Sequence, residues 1–191
     1  MAYSTNGINW TAVASSPLTT DIHHLTYGNG RFVAINDNHE TLFSSNGINW
    51  SAGTNLSSAR HNNMDFAPWA SISYSGGKFI MGIGHGRIAY SINGEAWSVL
   101  PLFEDDRTMT GGLHPTSNPS FVYGGSTFVF SGVDVDMLGE QTASIIFSTD
   151  FDDWVVADLS GIFDDTFISH VVFGNRRFVA IGANGKMAYS E

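Results

Sequence analysis

Short apolar runs recur along this chain, each bounded by clusters of glycine, asparagine and serine. Phe32-Val33-Ala34-Ile35, Phe79-Ile80-Met81, Phe128-Val129-Phe130 and Phe178-Val179-Ala180-Ile181 are the clearest. Their apolar residues are consecutive rather than alternating, which fits strands covered on both faces. No window carries apolar residues at helical spacing over three turns. With 21 Gly and 14 Phe among 191 residues, the pattern predicts an all-β chain of short strands and tight turns.

The runs belong to a repeat. Ser4-Thr5-Asn6-Gly7-Ile8-Asn9-Trp10 recurs as Ser44-Ser45-Asn46-Gly47-Ile48-Asn49-Trp50, as Ser91-Ile92-Asn93-Gly94-Glu95-Ala96-Trp97 and as Ser148-Thr149-Asp150-Phe151-Asp152-Asp153-Trp154. A second motif lies between the copies: Tyr27-Gly28-Asn29-Gly30-Arg31-Phe32, with counterparts from Tyr74, Tyr123 and Phe173. The tryptophans are 40, 47 and 57 residues apart, and Met187-Ala188-Tyr189-Ser190 repeats Met1-Ala2-Tyr3-Ser4 at a distance of 186, leaving 42 for a fourth unit. Four four-stranded units of about 45 residues predict a β-propeller over residues 1–191. In each unit strand a ends at the Tyr or Phe of the second motif, strand b carries the apolar run, and Asn-Gly turns strand c into strand d. Asn-Gly suits the left-handed dihedrals of a tight hairpin. The N-terminus supplies strands c and d of the closing unit and the C-terminus supplies a, b and c. Strand c is thus encoded twice, which leaves open a two-chain, eight-bladed ring.

The Ser-x-Asn/Asp-Gly-x-x-Trp hairpins resemble the Asp-box, or bacterial neuraminidase repeat, of sialidase-like propellers. They also resemble repeats of bacteriophage tail and bacterial surface proteins. The hairpins are one residue shorter than the Asp-box pattern, and most carry Asn where it has Asp. The resemblance implies a propeller that is extracellular or virion-associated, although the N-terminus lacks the basic and apolar regions of a signal peptide.

Charge narrows the partners. Only 8 Lys and Arg oppose 18 Asp and Glu, giving a formal net charge of −10, and the few cations are scattered, which speaks against nucleic acid and against an anionic membrane surface. No apolar stretch approaches the ~20 residues of a membrane span. There is no cysteine, so disulfides and thiolate metal sites are excluded.

The repeated Trp, Phe, Asn and Ser positions are read as core and turn. Function is expected where the repeats differ, in the loops joining d to a and b to c on one face. These carry the candidate ligand-binding residues Arg60, His61, Asn62, Asp65 and Trp69, then Arg107 and His114, and His85. Trp69 is the only tryptophan outside the repeat, and an aromatic face beside Arg, His and Asn suits a sugar ring and its hydroxyls. The seven histidines show no ligand spacing, and no cofactor is expected. Calcium on Glu104, Asp105 and Asp106 with Asp134 or Asp136 lacks a recognisable loop motif. A sialidase-type arginine triad would have to come from Arg60, Arg87 and Arg107; a glycosidase pair would use Glu104 with Asp134 or Asp136. The reading is therefore a non-enzymatic recognition module for a glycan or a protein receptor. Its alternatives are an assembly protein of a virion or surface complex, and a glycoside hydrolase.

Overall fold

The structure, a computed structural model, describes residues 1–18, 20–36, 38–57, 72–84, 87–101, 112–114, 120–135, 141–163 and 166–190, with backbone alone at 84, 112–114, 133–135 and 141–142. β1 (Ala2–Tyr3) and β2 (Thr11–Ala12) pair as a two-stranded sheet. β3 (Ile22–Gly28), β4 (Arg31–Asn36), β5 (Glu40–Ser44) and β6 (Ser51–Asn55) follow as an antiparallel meander, and β7 (Ile72–Ser75), β8 (Lys78–Gly84), β9 (Arg87–Ser91) and β10 (Ser98–Pro101) repeat it. In the third meander β11 (Gly112–His114) pairs the far half of β13 (Thr127–Val135), whose near half pairs β12 (Phe121–Gly124); β14 (Gln141–Ser148) and β15 (Val155–Val156) complete it. β16 (Ile168–Gly174), β17 (Arg177–Gly182) and β18 (Met187–Tyr189) form the last sheet, of three strands. The chain is all-β, its four-stranded sheets arranged like propeller blades, with strands a to d where the repeat put them.

The hairpin between strands c and d is held in the same way each time. The serine hydroxyl donates to the Asn or Asp Oδ1 two residues on and accepts the N–H of the residue after that, at 2.9 Å for Gly47 and 2.8 Å for Gly94. Oδ1 in turn accepts the next two backbone N–H groups, both 2.9 Å at Ile48 and Asn49. A short oxygen acceptor satisfies backbone donors that the six-residue connection from Ser45 to Trp50 leaves outside the ladder. Asn and Asp are interchangeable in that role, since only Oδ1 is used. Gly7, Gly47 and Gly94 all sit at φ 71 to 73°, and Phe151 takes the same place at φ 75°.

Phe151 tolerates that strained dihedral because it is 3% exposed and enters the core between the second and third blades. Its ring meets Phe128 at 4.8 Å and Tyr90 at 5.1 Å, with the Lys78 ammonium 4.9 Å above it. Burial of a phenyl ring outweighs a left-handed residue costing about 1–2 kcal/mol.

Blades meet at their a strands: β3 packs on β7, β7 on β12, and β12 on β16. Strand a is therefore innermost. The approach is so close that a Cβ on Gly28 would overlap the ring of Tyr74, and one on Gly124 the ring of Phe173. At the middle joint Ser75 stands in the glycine's place and the next residue, Gly76, takes the rings of Phe128 and Tyr123. Across the first joint, Asn29 Nδ2 donates to the Ile92 carbonyl at 3.0 Å and Arg31 pairs with Glu95 at 3.2 Å. Three apolar cores fill the joints, around Val33 and Phe79, around Ile80 and Phe128, and around Val129 and Ile168.

The fourth sheet differs from the expectation that terminal strands join in one blade. β18 pairs β17 and β1 pairs β2, with no hydrogen-bonded ladder between the two sheets among the described residues. Strand c is encoded twice, and each copy has taken the partner nearest in sequence, where loop closure costs least entropy.

Replacing Phe151 by Gly restores the repeat's own residue but empties the joint. We expect a net loss of about 2 kcal/mol or more in urea unfolding; unchanged stability would contradict this account. Asp150→Asn keeps the Oδ1 acceptor but removes the charge, so it should lower stability slightly at neutral pH and converge with the wild type in acid. The Asp150 carboxyl is held below the ordinary carboxylate range by the N–H groups of Asp153 and Asp152 and by the Ser148 hydroxyl. Its contribution is thus present above that range and lost as pH falls through the lowered pKa. The Asn variant should unfold less steeply in acid, as followed by circular dichroism across a pH titration.

Candidate functional site

Arg60, His61, Asn62, Asp65, Trp69, His85 and Arg107 lie outside the described residues, as do Glu104, Asp105, Asp106 and Asp136. His114 is placed by its backbone alone, at the end of β11 opposite Val133, and Asp134 lies in β13 between Leu113 and Thr142. Among the described residues no group of three or more His, Asp or Glu could hold a metal ion, and no helix is long and apolar enough to cross a membrane.

The described residues build a different feature at the same end of the blades. Strand a enters from the long d-to-a loop, so its first residues lie at the loop-bearing face. In β3 and β16 the register against strand b slips at one place, between Ile22 and His24 and between Ile168 and His170. A bulge there re-aims the side chain that follows. Counting back from the aromatic of the second motif, His24, Ser71, Ser120 and His170 occupy one position in successive units, and Ser71 lies outside the described residues. Two neighbours touch: Ser120 Oγ and His170 Nδ1 are 3.0 Å apart across the β12–β16 joint.

Ser120 is anchored at its backbone as well. Its N–H donates to Ser131 Oγ at 3.3 Å, and its carbonyl accepts the Ser131 N–H at 3.1 Å. The serine is buried and the histidine exposed, so the bond at Nδ1 anchors an imidazole that remains open to solvent. Among the described residues no carboxylate is hydrogen-bonded to His170, which leaves the pair without the third member of a nucleophile–base relay. Phe167 ends the approach to β16, 52% exposed, with its carbonyl bound by the Ala183 N–H at 3.2 Å. An exposed aromatic three residues from a fixed imidazole offers one stacking face and one hydrogen-bonding edge.

The first blade has a stiff rim at this face. Asn36, almost wholly buried, donates from Nδ2 to Thr20 Oγ1 and to Glu40 Oε2 at 2.6 Å. Its Oδ1 accepts the N–H groups of Asn38 and Glu40 at 3.0 and 2.9 Å. One amide thus ties the b-to-c loop to the segment that leads into β3 and His24.

The imidazole of His24 is held below its ordinary pKa near 6.5, first by burial and then by the adjacent His23. Reading single histidines for metal spacing missed this row. Aligning the four units by their Tyr or Phe would have found it, because the shared position is visible only across repeats.

Neither a family model nor a curated protein sequence matches the chain. Among solved structures it is similar to a beta-fructofuranosidase of glycoside hydrolase family 32 from Bombyx mori, at 12% identity and a TM-score of 0.49, over 85% of this chain and 40% of that one. A structure from the GH130 family of mannoside phosphorylases matches at 15% identity and a TM-score of 0.49, over 89% and 66%. YCF48 from Cyanidioschyzon merolae matches at 15% and 0.41, over 95% and 73%. The chain spans two fifths of the length of the first and just under two thirds of the second. No activity, substrate or residue role passes from any of them to this chain.

A lowered His24 pKa means that the folded state favours the neutral ring. Its contribution to stability is complete above about pH 6.5 and is lost as pH falls through the lowered value. His24→Gln should flatten the fall in thermal midpoint over that window. Superimposable profiles for the two proteins would contradict the assignment.

Proposed function

We propose that this protein is a non-catalytic recognition module that binds a glycan at the loop-bearing face around its innermost strands. The observation that carries the reading is the Ser120-anchored His170, with exposed Phe167 three residues before it in the chain. A sugar needs an apolar face to stack on and planar polar groups for its hydroxyls. In this proposal the loop residues Arg60, His61, Asn62, Asp65, Trp69, His85, Arg107 and His114 contribute to the same site. On this reading the hairpins are of Asp-box type and serve the fold alone, residues 1–191 act as one unit, and the protein works outside the cell or on a virion. The acidic surface suits a neutral or cationic glycan better than a sialylated one.

The test is a glycan array followed by calorimetric titration with the best oligosaccharide. His170→Ala and Phe167→Ala should each weaken binding about tenfold. Ile92→Ser, at the opposite end of its blade, should leave it unchanged. Absence of binding by the folded protein would overturn the reading, and turnover of the oligosaccharide would replace it with a glycoside hydrolase.

A further inference from the structure

We infer that two copies of this chain join end to end, the β1–β2 hairpin and first blade of one completing the last sheet of the other. Each end of the arc lacks what the opposite end carries.

At every internal joint an aromatic on strand a of one blade covers bare backbone of the blade before it, as Tyr74 covers Gly28 and Phe173 covers Gly124. Each such ring is braced by the phenylalanine of its own strand b, at 4.8 Å for both Tyr74–Phe79 and Phe173–Phe178. Tyr27 is braced identically on Phe32, at 4.6 Å, yet it has no glycine to cover and is 57% exposed. Gly174 is the matching vacancy. Among the described residues nothing approaches within 4 Å of where its Cβ would be.

The hairpins repeat the mismatch. Trp97 and Trp154 pack into the cores of the first and second joints. Among the described residues the core of the third joint contains no tryptophan, and the last sheet has three strands. There an apolar cavity of about 510 Å³ opens instead, lined by Val129, Phe147, Leu159, Phe178 and Ala188, with Tyr189 among its walls. Trp10, whose indole is oriented by the Gly7 carbonyl as Trp50's is by Gly47, is 65% exposed.

The other end is complementary. Beside the first blade lies a slot of about 480 Å³, bounded by Met1 and Ala2 of the terminal hairpin, by Leu25 of strand a, and by Gly47 and Trp50. Strands a and b of a preceding blade would stand there. In the joint so formed, Tyr27 covers Gly174 of the other copy, Gly47 rests on its Val179 as Gly94 rests on Val33, and Trp10 enters its apolar cavity. Met1–Ser4 and Met187–Ser190 are the same sequence, so either can serve as strand c and one is released. Within a single chain the two ends form separate sheets, and a second copy carries the complement of each. Two such joints close a ring of eight blades.

The chain has no cysteine, which makes a cross-link clean. By the precedent of Gly28 and Tyr74, cysteines at 27 and 174 lie within disulfide reach across the joint. Tyr27→Cys and Gly174→Cys chains, prepared separately, mixed and oxidised, should yield a linked species of about twice 20.7 kDa. Neither variant alone should do so. Wild-type protein should sediment as a dimer, and Trp10→Ser should weaken association about 30-fold or more with its circular dichroism spectrum unchanged. Folded variants that do not cross-link, or a double variant Tyr27→Cys/Gly174→Cys that forms the bond within one chain, would overturn the inference. A Trp10→Ser protein that associates as tightly as wild type would do so too.

Discussion

Blade spacing depends on one contact: an aromatic ring of each innermost strand lying against bare backbone of the strand before it. Tyr74 on Gly28 and Phe173 on Gly124 leave no room for a Cβ. This closeness lets short strands, few of them longer than seven residues, bury rings such as Phe79 and Phe130 completely. Dispersion and hydrophobic burial both fall off steeply with separation, so a joint opened by the width of a methyl group would lose much of its core. The hairpin side-chain bonds stabilise the outer turns, but the blades are assembled by these inner contacts.

Much of the fold was legible because its devices are local. Ser44, Asn46 and Gly47 have one conformation in which the serine and asparagine oxygens accept the N–H groups of the turn, and that conformation is written into seven residues. The apolar runs of strand b announced burial on both faces, and Val33, Ala34 and Ile35 are indeed inaccessible. Two things were not legible. A repeat cannot say which of two identical strands, Ala2–Tyr3 or Met187–Tyr189, takes a given place, because the answer depends on loop entropy and not on side chains. Nor did Phe151 announce itself as a core residue: at a glycine position it reads as a flaw in the motif, and only the neighbouring Phe128 and Tyr90 explain it.

The candidate site was less legible than the fold for a related reason. Loop residues such as Arg60 and Trp69 stand out by departing from the repeat, and that departure was the whole of the argument for them. His170 and Ser120 stand out in no such way. They are ordinary residues that become a pair because adjacent innermost strands bring one repeat position of each blade together at the third joint. Position within the unit, counted from the aromatic knob, carries information that residue type alone does not.

The most direct measurement of the central contact is the unfolding free energy of Gly124→Ala. An added methyl group would meet the Phe173 ring, with β12 and β16 both fixed by their ladders, and the account predicts a loss of about 3 kcal/mol or more. A variant within about 0.5 kcal/mol of wild type, the range of an ordinary surface substitution, would show that the blades do not depend on this approach and would contradict the account.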